Sequence, residues 1–484
     1  MHSGACFASA RPRYGGTLRV MMQARVESLD PRDFPADFAH SAATAHLLSL
    51  AYERLVGMDE RGEPQPELAS SWEHSLDYRF WDFKLRPSVK FHDGAPLTAR
   101  DVALSLQSFP ARAVLAVGAD VVRIESEPYT RDFLFRLAEW RYAIVKVPAD
   151  PSQRSAPEWP VGTGPFQLTS FVAGASAGFS AFAEHWAGRP LVDAVRVTLG
   201  VSQREQAIAV EVGNADIGEL SPADYRRAVQ SERRSWSSLP VEVIALIRSP
   251  RFSGRRDAQL VEALSRAIDR ASIHSVLLQK QGEVSAALLP QWLSGYAFLF
   301  DAARDLDRAR QLASALEPSR RNLAVGYPAQ DALLQSIAER IAVNGREAGL
   351  TVQTRSLEAA TDGALTPLLL VRYRIPAAQP ALAMNAFFNT LRQEPADLRN
   401  SPRTAEGMFE EEKSNVGLFD LIPIAHLPVM FGLSPRVRNW MPTRLGEWRL
   451  ADVWIDEGAV QGDDRRADEK DRGQAGKPVS REKP

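Results

Sequence analysis

The hydrophobic and polar positions from Phe80 to Leu85 alternate, which predicts a short strand with one apolar face, and Val89 and Phe91 repeat the pattern. Asp93-Gly94 follows the alternating stretch and favours a tight turn. Thr98 then has the properties of a helix N-cap, so we predict a helix from about residue 99 to residue 108. His92 precedes the Asp-Gly turn, and a polar residue at such a position is more often part of the scaffold than a catalytic group.

The pattern changes to strands that alternate with helices in two later stretches. Residues 193–220 predict a strand, a helix opened by a Ser202/Glu205 capping box, and a second strand. Residues 323–357 predict the same order. Each is a β-α-β unit, which requires a parallel sheet covered by helices. Residues 257–282 carry one apolar stripe and predict a single amphipathic helix that ends at Gly282.

These patterns predict an α/β protein with two lobes and an additional β-rich domain. A chain of 484 residues is also longer than one hydrophobic core usually supports. The predicted units are residues 1–14 as disordered or the remnant of an export signal, 15–44 with 161–245 and 425–455 as lobe I, 45–160 as the extra β-rich domain (lobe II), 246–424 as lobe III, and 456–484 as a disordered charged tail.

Composition excludes several classes of function. The formal net charge of -2 gives no basis for a nucleic-acid partner. The single cysteine, Cys6, excludes an internal disulfide and any metal site built from several cysteines. The longest apolar stretch, residues 419–433, is too short for a membrane helix and predicts buried core. The first sixteen residues lack the apolar region of a complete signal peptide, so export is either absent or its signal is truncated.

Motifs for catalysis or cofactor binding are weak. Residues 174–178, GASAG, fit the pattern of a hydrolase nucleophile elbow around Ser176, but the flanking residues alternate like the strands of a hairpin. His40 and His46 are the closest histidine pair, and their spacing does not place them on one helical face. No phosphate-binding or metal-binding motif is present, so we predict no cofactor and no metal.

Several stretches together resemble the family 5 extracellular solute-binding proteins, which are the dipeptide-, oligopeptide- and nickel-binding components of bacterial ABC importers. The stretches follow the order of the family and extend over about residues 15–455. They are GGTLRV (15–20), YERLVGMDERGEPQPELASSWEHS (52–75), FHDGAPLTARDV (91–102), GTGPF (162–166), EHWAGRPLVDAVRV (184–197), ALSRAIDRASI (263–273) and DLDRARQL (305–312).

The resemblance implies a two-lobed periplasmic-binding-protein-like fold of class II type. It further implies a non-enzymatic protein that captures a peptide-like or other small organic solute by hinge closure and delivers it to ABC permease subunits. The expected protein is a monomer, periplasmic or extracellular, and either free or membrane-anchored. Two alternatives are a ligand-sensing module of the same fold without a transport role, and a serine hydrolase that uses Ser176.

The segment that would bind the ligand departs from the pattern of the peptide-binding relatives. Those relatives carry an acidic residue there for the peptide amino terminus, whereas residues 368–389 contain no acid and instead carry Arg372, Tyr373 and Arg374. Guanidinium groups suit a carboxylate or another anion. The full set of candidate ligand-binding residues is Asp37, Phe38, His40, Trp159, Thr163, Arg372, Tyr373 and Arg374.

Overall fold

The computed structural model describes residues 11–34, 41–127, 133–147, 159–249, 257–357, 366–392, 404–418 and 420–457. Its strands are β1 (Thr17–Met21), β2 (Val56–Met58), β3 (Pro64–Pro66), β4 (Ala69–His74), β5 (Phe80–Leu85), β6 (Ala113–Val117), β7 (Val121–Glu125), β8 (Phe166–Val172), β9 (Ser176–Ala181), β10 (Ala194–Thr198), β11 (Ile217–Glu219), β12 (Ser235–Arg248), β13 (Glu283–Val284), β14 (Asn322–Pro328), β15 (Thr351–Leu357), β16 (Leu368–Arg374), β17 (Ile422–Leu433), β18 (Val437–Arg438) and β19 (Trp454–Ile455). Its helices are α1 (Ser41–Ala51), α2 (Ala99–Ser105), α3 (Phe133–Leu137), α4 (Gln203–Glu211), α5 (Pro222–Gln230), α6 (Ala258–Ala267), α7 (Arg270–Ser272), α8 (Gln291–Ser294), α9 (Leu306–Ser314), α10 (Ala332–Glu347), α11 (Pro380–Arg392) and α12 (Ala405–Leu418).

One large sheet extends through both lobes in the order β15-β14-β16-β12-β17-β11-β1-β10-β9-β8, with β13 paired to β17. The half with β14, β15 and β16 belongs to lobe III, and the half from β11 to β8 belongs to lobe I. β1 is parallel to β10 and β11, and β14 is parallel to β15 and β16. The carboxyl ends of these parallel strands therefore lie at one edge in each lobe, which is where open α/β sheets commonly bind ligands.

Two long antiparallel strands, β12 and β17, connect the lobes. β12 pairs with β16 in lobe III, and β17 pairs with β11 in lobe I. Their mutual ladder is irregular on both sides of the facing pair Pro240 and Pro428. Proline donates no backbone hydrogen bond, so the ladder is weakest at the place where the chain passes between the lobes. This interruption is suited to a hinge.

The hydrophobic core is divided into several clusters. One includes Leu18 and Leu47 of lobe I, a second joins Leu264 and Ile341 of lobe III to Leu220 of lobe I, and a third surrounds Phe83 in the extra domain. The extra domain contains its own sheet in the order β4-β5-β7-β6. Burial of separate apolar surfaces agrees with the expectation that a chain of this length forms several cores.

Three of the predicted domain boundaries fall inside helices or strands. The boundary at 44/45 lies in α1, whose apolar side chains pack in the core of lobe I. The boundaries at 245/246 and 424/425 lie in β12 and β17, the two connecting strands. The boundaries remain predictions, since a strand that belongs to two lobes has no single division point.

Most of the predicted elements are confirmed. Thr98 caps α2 and the Ser202/Glu205 box opens α4, as the sequence indicated, and Asp101 completes a capping box with Thr98. Both β-α-β units are present, and Ile422–Leu433, within the stretch predicted to be buried core, forms β17.

The prediction of one helix over residues 257–282 is wrong. α6 ends at Ala267, Ile268 is extended, and Asp269 caps the next turn by accepting a hydrogen bond from the Ser272 backbone N–H at 2.8 Å. The helical turns that follow end at Leu277. A side chain that offers the backbone an alternative partner favours a new N-terminus over continuation of the helix.

Ser176 begins β9, which forms an antiparallel hairpin with β8. A nucleophile elbow requires a strand before the serine and a helix after it, and here two strands flank the turn. The hairpin predicted from the stretches that flank residues 174–178 is therefore confirmed. This surrounding structure does not favour the hydrolase alternative.

His92 has a structural role in the turn between β5 and α2. Its backbone N–H donates to the Gly162 carbonyl, and its ring Nε2 lies 2.9 Å from the Gly164 carbonyl. Burial lowers the pKa of His92. The contacts join the extra domain to the glycine turn at 162–164, so the histidine belongs to the scaffold, as its position beside Asp93-Gly94 indicated.

The N-terminal residues 1–10, the predicted tail from residue 458 onward, and Asp37, Phe38 and His40 lie outside the described residues. Across the described ranges, no helix is both long and apolar enough to cross a membrane. In the same ranges, the His, Cys, Asp and Glu side chains form no group of three or more that could hold a metal ion.

A buried carboxylate in lobe III makes the stability of the fold depend on pH. The Glu412 carboxylate accepts hydrogen bonds from the Leu288 backbone N–H at 2.6 Å and from the Tyr296 hydroxyl at 2.8 Å. Burial raises the pKa of Glu412 to about 7. The neighbouring His426 ring contacts the Leu288 carbonyl at 3.0 Å, and burial lowers the pKa of His426 to about 4.

We expect Glu412→Gln to remove one component of this pH dependence. An acid whose pKa is raised on folding stabilises the fold most at low pH, and the stabilisation is lost as the pH rises from about 4.5 to about 7. The stability of the wild type relative to Glu412→Gln should therefore fall by on the order of 3 kcal/mol over that interval. Urea denaturation at a series of pH values measures the difference, and a difference that does not change with pH would contradict the assignment.

Candidate functional site

The two lobes meet at the carboxyl ends of their parallel strands. Gln23 follows β1 in lobe I, and its side-chain amide donates to the Gln330 carbonyl in lobe III at 3.0 Å. Gln330 lies between β14 and α10. The structure thus shows a state in which the lobes are in contact. We call the region where β1, β11, β16 and the start of α10 meet the crevice.

The alternating directions of side chains in β16 separate its three polar residues. Arg372 and Arg374 lie on the same face of the strand, because successive residues of a strand point to opposite faces. Tyr373 points to the other face, where it is buried in a core with Phe387 at a ring-centroid distance of 5.0 Å. Tyr373 is therefore placed away from the crevice, and the two arginines are placed beside it.

Arg372 is surrounded by carboxylates from other elements. Its guanidinium forms an ion pair with Asp331, the N-cap of α10, and lies 3.7 Å from the Glu242 carboxylate on β12. The three side chains keep only 13–15% of their surface exposed. Burial opposes the charge, but the attraction of Asp331 and Glu242 prevails and raises the pKa of Arg372.

Arg374 faces the C-terminal segment of lobe I. Its guanidinium donates to the Leu445 carbonyl, and a Cβ built on Gly446 would lie 3.0 Å from the Arg374 Nη2. Burial lowers the pKa of Arg374. The same segment carries Trp448, which stacks on the buried His46 ring at 4.6 Å. Burial, together with the nearby positive charge of Arg374, holds the pKa of His46 well below its usual value.

Glu219 supplies a carboxylate from lobe I at the end of β11. It accepts a hydrogen bond from the Gln23 backbone N–H at 2.7 Å, and its own N–H donates to the Gln206 side chain at 2.7 Å. Burial raises the pKa of Glu219, and the pKa of Glu242 is raised for the same reason. Arg372 and Arg374 oppose both shifts, so the five charged side chains act on one another as a single group.

We call Glu219, Glu242, Asp331, Arg372 and Arg374 the crevice cluster. Sequence reasoning identified the two arginines because they lie in the segment that corresponds to the ligand-binding segment of the peptide-binding relatives, but it did not identify the three acids. Each acid belongs to an element distant in sequence from β16. Only the capping position of Asp331 before α10 and the position of Glu219 at the end of a short strand are signals that the sequence itself contains.

The other candidate ligand-binding residues in the described part of the chain, Trp159 and Thr163, lie near the junction of lobe I and the extra domain. Trp159 is half-buried against the core of lobe I. Thr163 is fully buried, and its hydroxyl donates to the Glu53 carboxylate at 2.9 Å. Trp186 donates to the same carboxylate at 2.8 Å. Thr163 thus helps to satisfy a buried acid, which is a structural role.

We expect Thr163→Val to lower the free energy of unfolding by about 1–3 kcal/mol, because it leaves a buried carboxylate oxygen without its donor. Thr163→Ser keeps the hydroxyl and is the matched control. Thermal unfolding of both variants measures the effect. A wild-type melting temperature for Thr163→Val, combined with a loss of ligand affinity, would instead place Thr163 in the binding site.

Comparison with known proteins identifies the family. The model of the bacterial extracellular solute-binding proteins, family 5 Middle, matches residues 63–390. The chain is 26% identical over 274 residues to a probable D,D-dipeptide-binding periplasmic protein, DdpA, of Escherichia coli (strain K12), with 51% of this chain and 52% of DdpA aligned. The chain thus spans about half the length of this curated relative.

Solved structures show the same fold over nearly the whole chain. The oligopeptide-binding protein AppA from Bacillus subtilis, in complex with a nonapeptide, matches with a TM-score of 0.76 and 17% identity, covering 92% of this chain and 100% of that one. NikA from Staphylococcus aureus, in complex with Ni(L-His)2, matches with a TM-score of 0.74 and 16% identity, covering 91% and 100%. The predicted two-lobed binding-protein fold is confirmed, and the chain belongs to the bacterial extracellular solute-binding proteins of family 5.

Proposed function

We propose that this protein is the substrate-binding component of an ABC-type importer and that it captures a small organic or peptide-like solute in the crevice between lobes I and III. One observation supports this most strongly. The carboxyl ends of the parallel strands of both lobes face each other across the crevice cluster, and β12 and β17 connect the lobes beside it. Ligands of open α/β sheets bind at such strand ends.

Binding and closure are coupled in this proposal. A ligand that contacts both lobes gains interactions only when the lobes are together, so it shifts the hinge equilibrium by its difference in affinity for the two states. The irregular pairing around Pro240 and Pro428 provides the place for the bend. The Gln23 to Gln330 hydrogen bond joins the lobes in the closed state.

We propose that the protein acts by binding alone, without a catalytic step, as a monomer in the periplasm or at the extracellular surface. Its partners are the ligand and the membrane permease subunits, which recognise the closed form. Membership of the solute-binding family supports this part of the proposal, and the hairpin around Ser176 gives no support to a hydrolase.

X-ray scattering tests the proposed function. Protein purified under mild conditions is compared with protein unfolded in urea, dialysed and refolded, which removes a bound solute. The native preparation is expected to have the smaller radius of gyration, and adding its boiled and filtered extract to the refolded protein should restore compaction. Identical scattering from both preparations, with no response to the extract, would contradict capture by closure.

A further inference from the structure

We infer that lobe III contains a second binding site, separate from the crevice, in which Arg270 binds the carboxylate of a small organic acid with an apolar body. The site is a cavity of about 360 Å³ beside α6 and the start of β17. Its volume is within the usual range of small-molecule pockets in proteins. The inference does not depend on the function proposed for the crevice.

The cavity lies at the end of the lobe III sheet that is remote from the crevice. Ile422, at the start of β17, lines the cavity and pairs with Leu246 of β12. Leu427, five positions further along β17, pairs with Glu242 of the crevice cluster. A strand rises about 3.3 Å per residue, so the two places are about 16 Å apart. The described residues that line the cavity all belong to lobe III, so a ligand there contacts one lobe.

Arg270 supplies a buried positive charge in this cavity. The residue is only 3% exposed, and burial lowers the pKa of Arg270 to about 10, so it stays protonated at neutral pH. No carboxylate of the described residues lies within ion-pair distance of its guanidinium. Asp301 attracts it from further away, but pairs with Arg266 at 3.0 Å. A buried charge without a counter-ion is unfavourable, and an anion in the cavity would remove that cost.

The hydrogen bonds of Arg270 leave donors for a ligand. A guanidinium has five N–H groups. Nε donates to the Pro423 carbonyl at 2.9 Å, Nη1 to the Ser265 carbonyl at 3.2 Å and Nη2 to the Ser265 hydroxyl at 3.4 Å, which holds the end of α6 to β17. Among the described residues, one N–H on each terminal nitrogen and the Ser265 hydroxyl proton have no acceptor. Such donors beside a positive charge suit a carboxylate.

The acids that line the cavity have cation partners of their own. The pairs, at 3.0–3.9 Å, are Glu262 with Arg308, Asp301 with Arg266 and Asp420 with Arg248. The charge of Arg270 is therefore the one that these pairs leave unbalanced among the described lining residues. The same acids would repel a dianion such as phosphate more strongly than a monoanion.

The apolar part of the wall determines the rest of the ligand. Val261, Phe300 and Leu421 line the cavity together with the charged groups. A ligand with an aromatic or aliphatic body would gain free energy by removing this surface and its own from water. A small monocarboxylic acid with such a body satisfies both the charge and the apolar wall.

Thermal shift with refolded, solute-free protein tests the site. Benzoate, phenylacetate and hexanoate are each compared with the corresponding uncharged amide. We expect the acids to raise the melting temperature in a saturable manner and the amides to leave it unchanged, because only the acids carry the charge that balances Arg270. Calorimetry gives the affinity of each acid that stabilises the protein.

Variants make the test specific to the cavity. Val261→Trp fills the cavity without changing Arg270 and should weaken binding of the acid at least tenfold. Val229→Trp, at a 52% exposed position on α5, is the matched control and should leave the affinity within twofold. Arg270→Lys keeps the charge but removes the planar set of donors, so it should also weaken binding at least tenfold. Circular dichroism checks that each variant is folded, and Val261→Trp decides the result if Arg270→Lys does not fold.

X-ray scattering separates this site from the crevice. A ligand that contacts lobe III alone has the same affinity for open and closed states, so the acids should leave the radius of gyration unchanged. Compaction by an acid would place it in the crevice and overturn the inference, but would support the proposed function. Equal affinity of Val261→Trp and wild type, equal stabilisation by acid and amide, or no stabilisation by any of the three acids would also overturn the inference, and would leave capture between the lobes standing.

Discussion

Arg372→Met is expected to lower the free energy of unfolding by about 3–5 kcal/mol and to abolish ligand binding, because the crevice cluster loses the cation that holds its carboxylates together. The substitution keeps the length of the side chain but leaves Asp331 and Glu242 without the cation between them. Breaking a buried ion pair from one side leaves an uncompensated charge, which is why the cost is large. Urea denaturation and calorimetry measure the two effects.

Arg320→Met is the matched control for this prediction. Arg320 pairs with Asp257 at 2.7 Å, but its side chain is 53% exposed. A pair of that kind contributes about 1 kcal/mol or less. The double variant Arg372→Met/Asp331→Asn should recover part of the lost stability, because asparagine still caps α10 without adding charge. If Arg372→Met lowered the free energy of unfolding no more than Arg320→Met does, Arg372 would not be the centre of the crevice cluster.

Gly162→Ala is expected to lower the free energy of unfolding by a similar amount, at least about 3 kcal/mol. A Cβ at this position would lie 2.0 Å from the Ala51 carbonyl oxygen and 2.6 Å from the Tyr52 ring. These atoms belong to the end of α1 and to the core of lobe I, so they cannot move aside without disrupting packing. Soluble yield and melting temperature report the loss.

Gly417→Ala in α12 is the corresponding control. A Cβ there meets nothing within 4 Å, and alanine is favoured over glycine in a helix by up to about 1 kcal/mol. This variant should melt at the wild-type temperature or slightly higher. Normal folding of Gly162→Ala would show that the 162–164 turn does not pack against α1 as closely as the structure indicates.

Local signals in the sequence were sufficient for much of the fold. Alternation predicted β5, an N-cap and a capping box predicted the starts of α2 and α4, and two β-α-β units predicted the parallel strands of the large sheet. These features depend on neighbours within a few residues, which is why a single sequence reveals them. The break after α6 was missed because Asp269 is held in place by Asn344, 75 positions away, through a backbone N–H contact of 3.1 Å.

The candidate site was harder to predict from the sequence than the fold was. Arg372 and Arg374 were identified from the resemblance of residues 368–389 to the ligand-binding segment of the peptide-binding relatives, but their partners come from β11, β12 and the start of α10. Tyr373 differs from them only by one position, which reverses its direction in the strand. Which carboxylates surround the two arginines depends on the distant elements that the fold brings together, and no local pattern contains that information.

Native mass spectrometry tests the central claim most directly, namely that a solute is held between the lobes by the crevice cluster. Protein purified under mild conditions is expected to carry one additional small mass per chain. The mass should be absent from Arg372→Met and retained in Arg320→Met, both checked for folded structure by circular dichroism. The same adduct on all three proteins, or on none of them, would contradict the account.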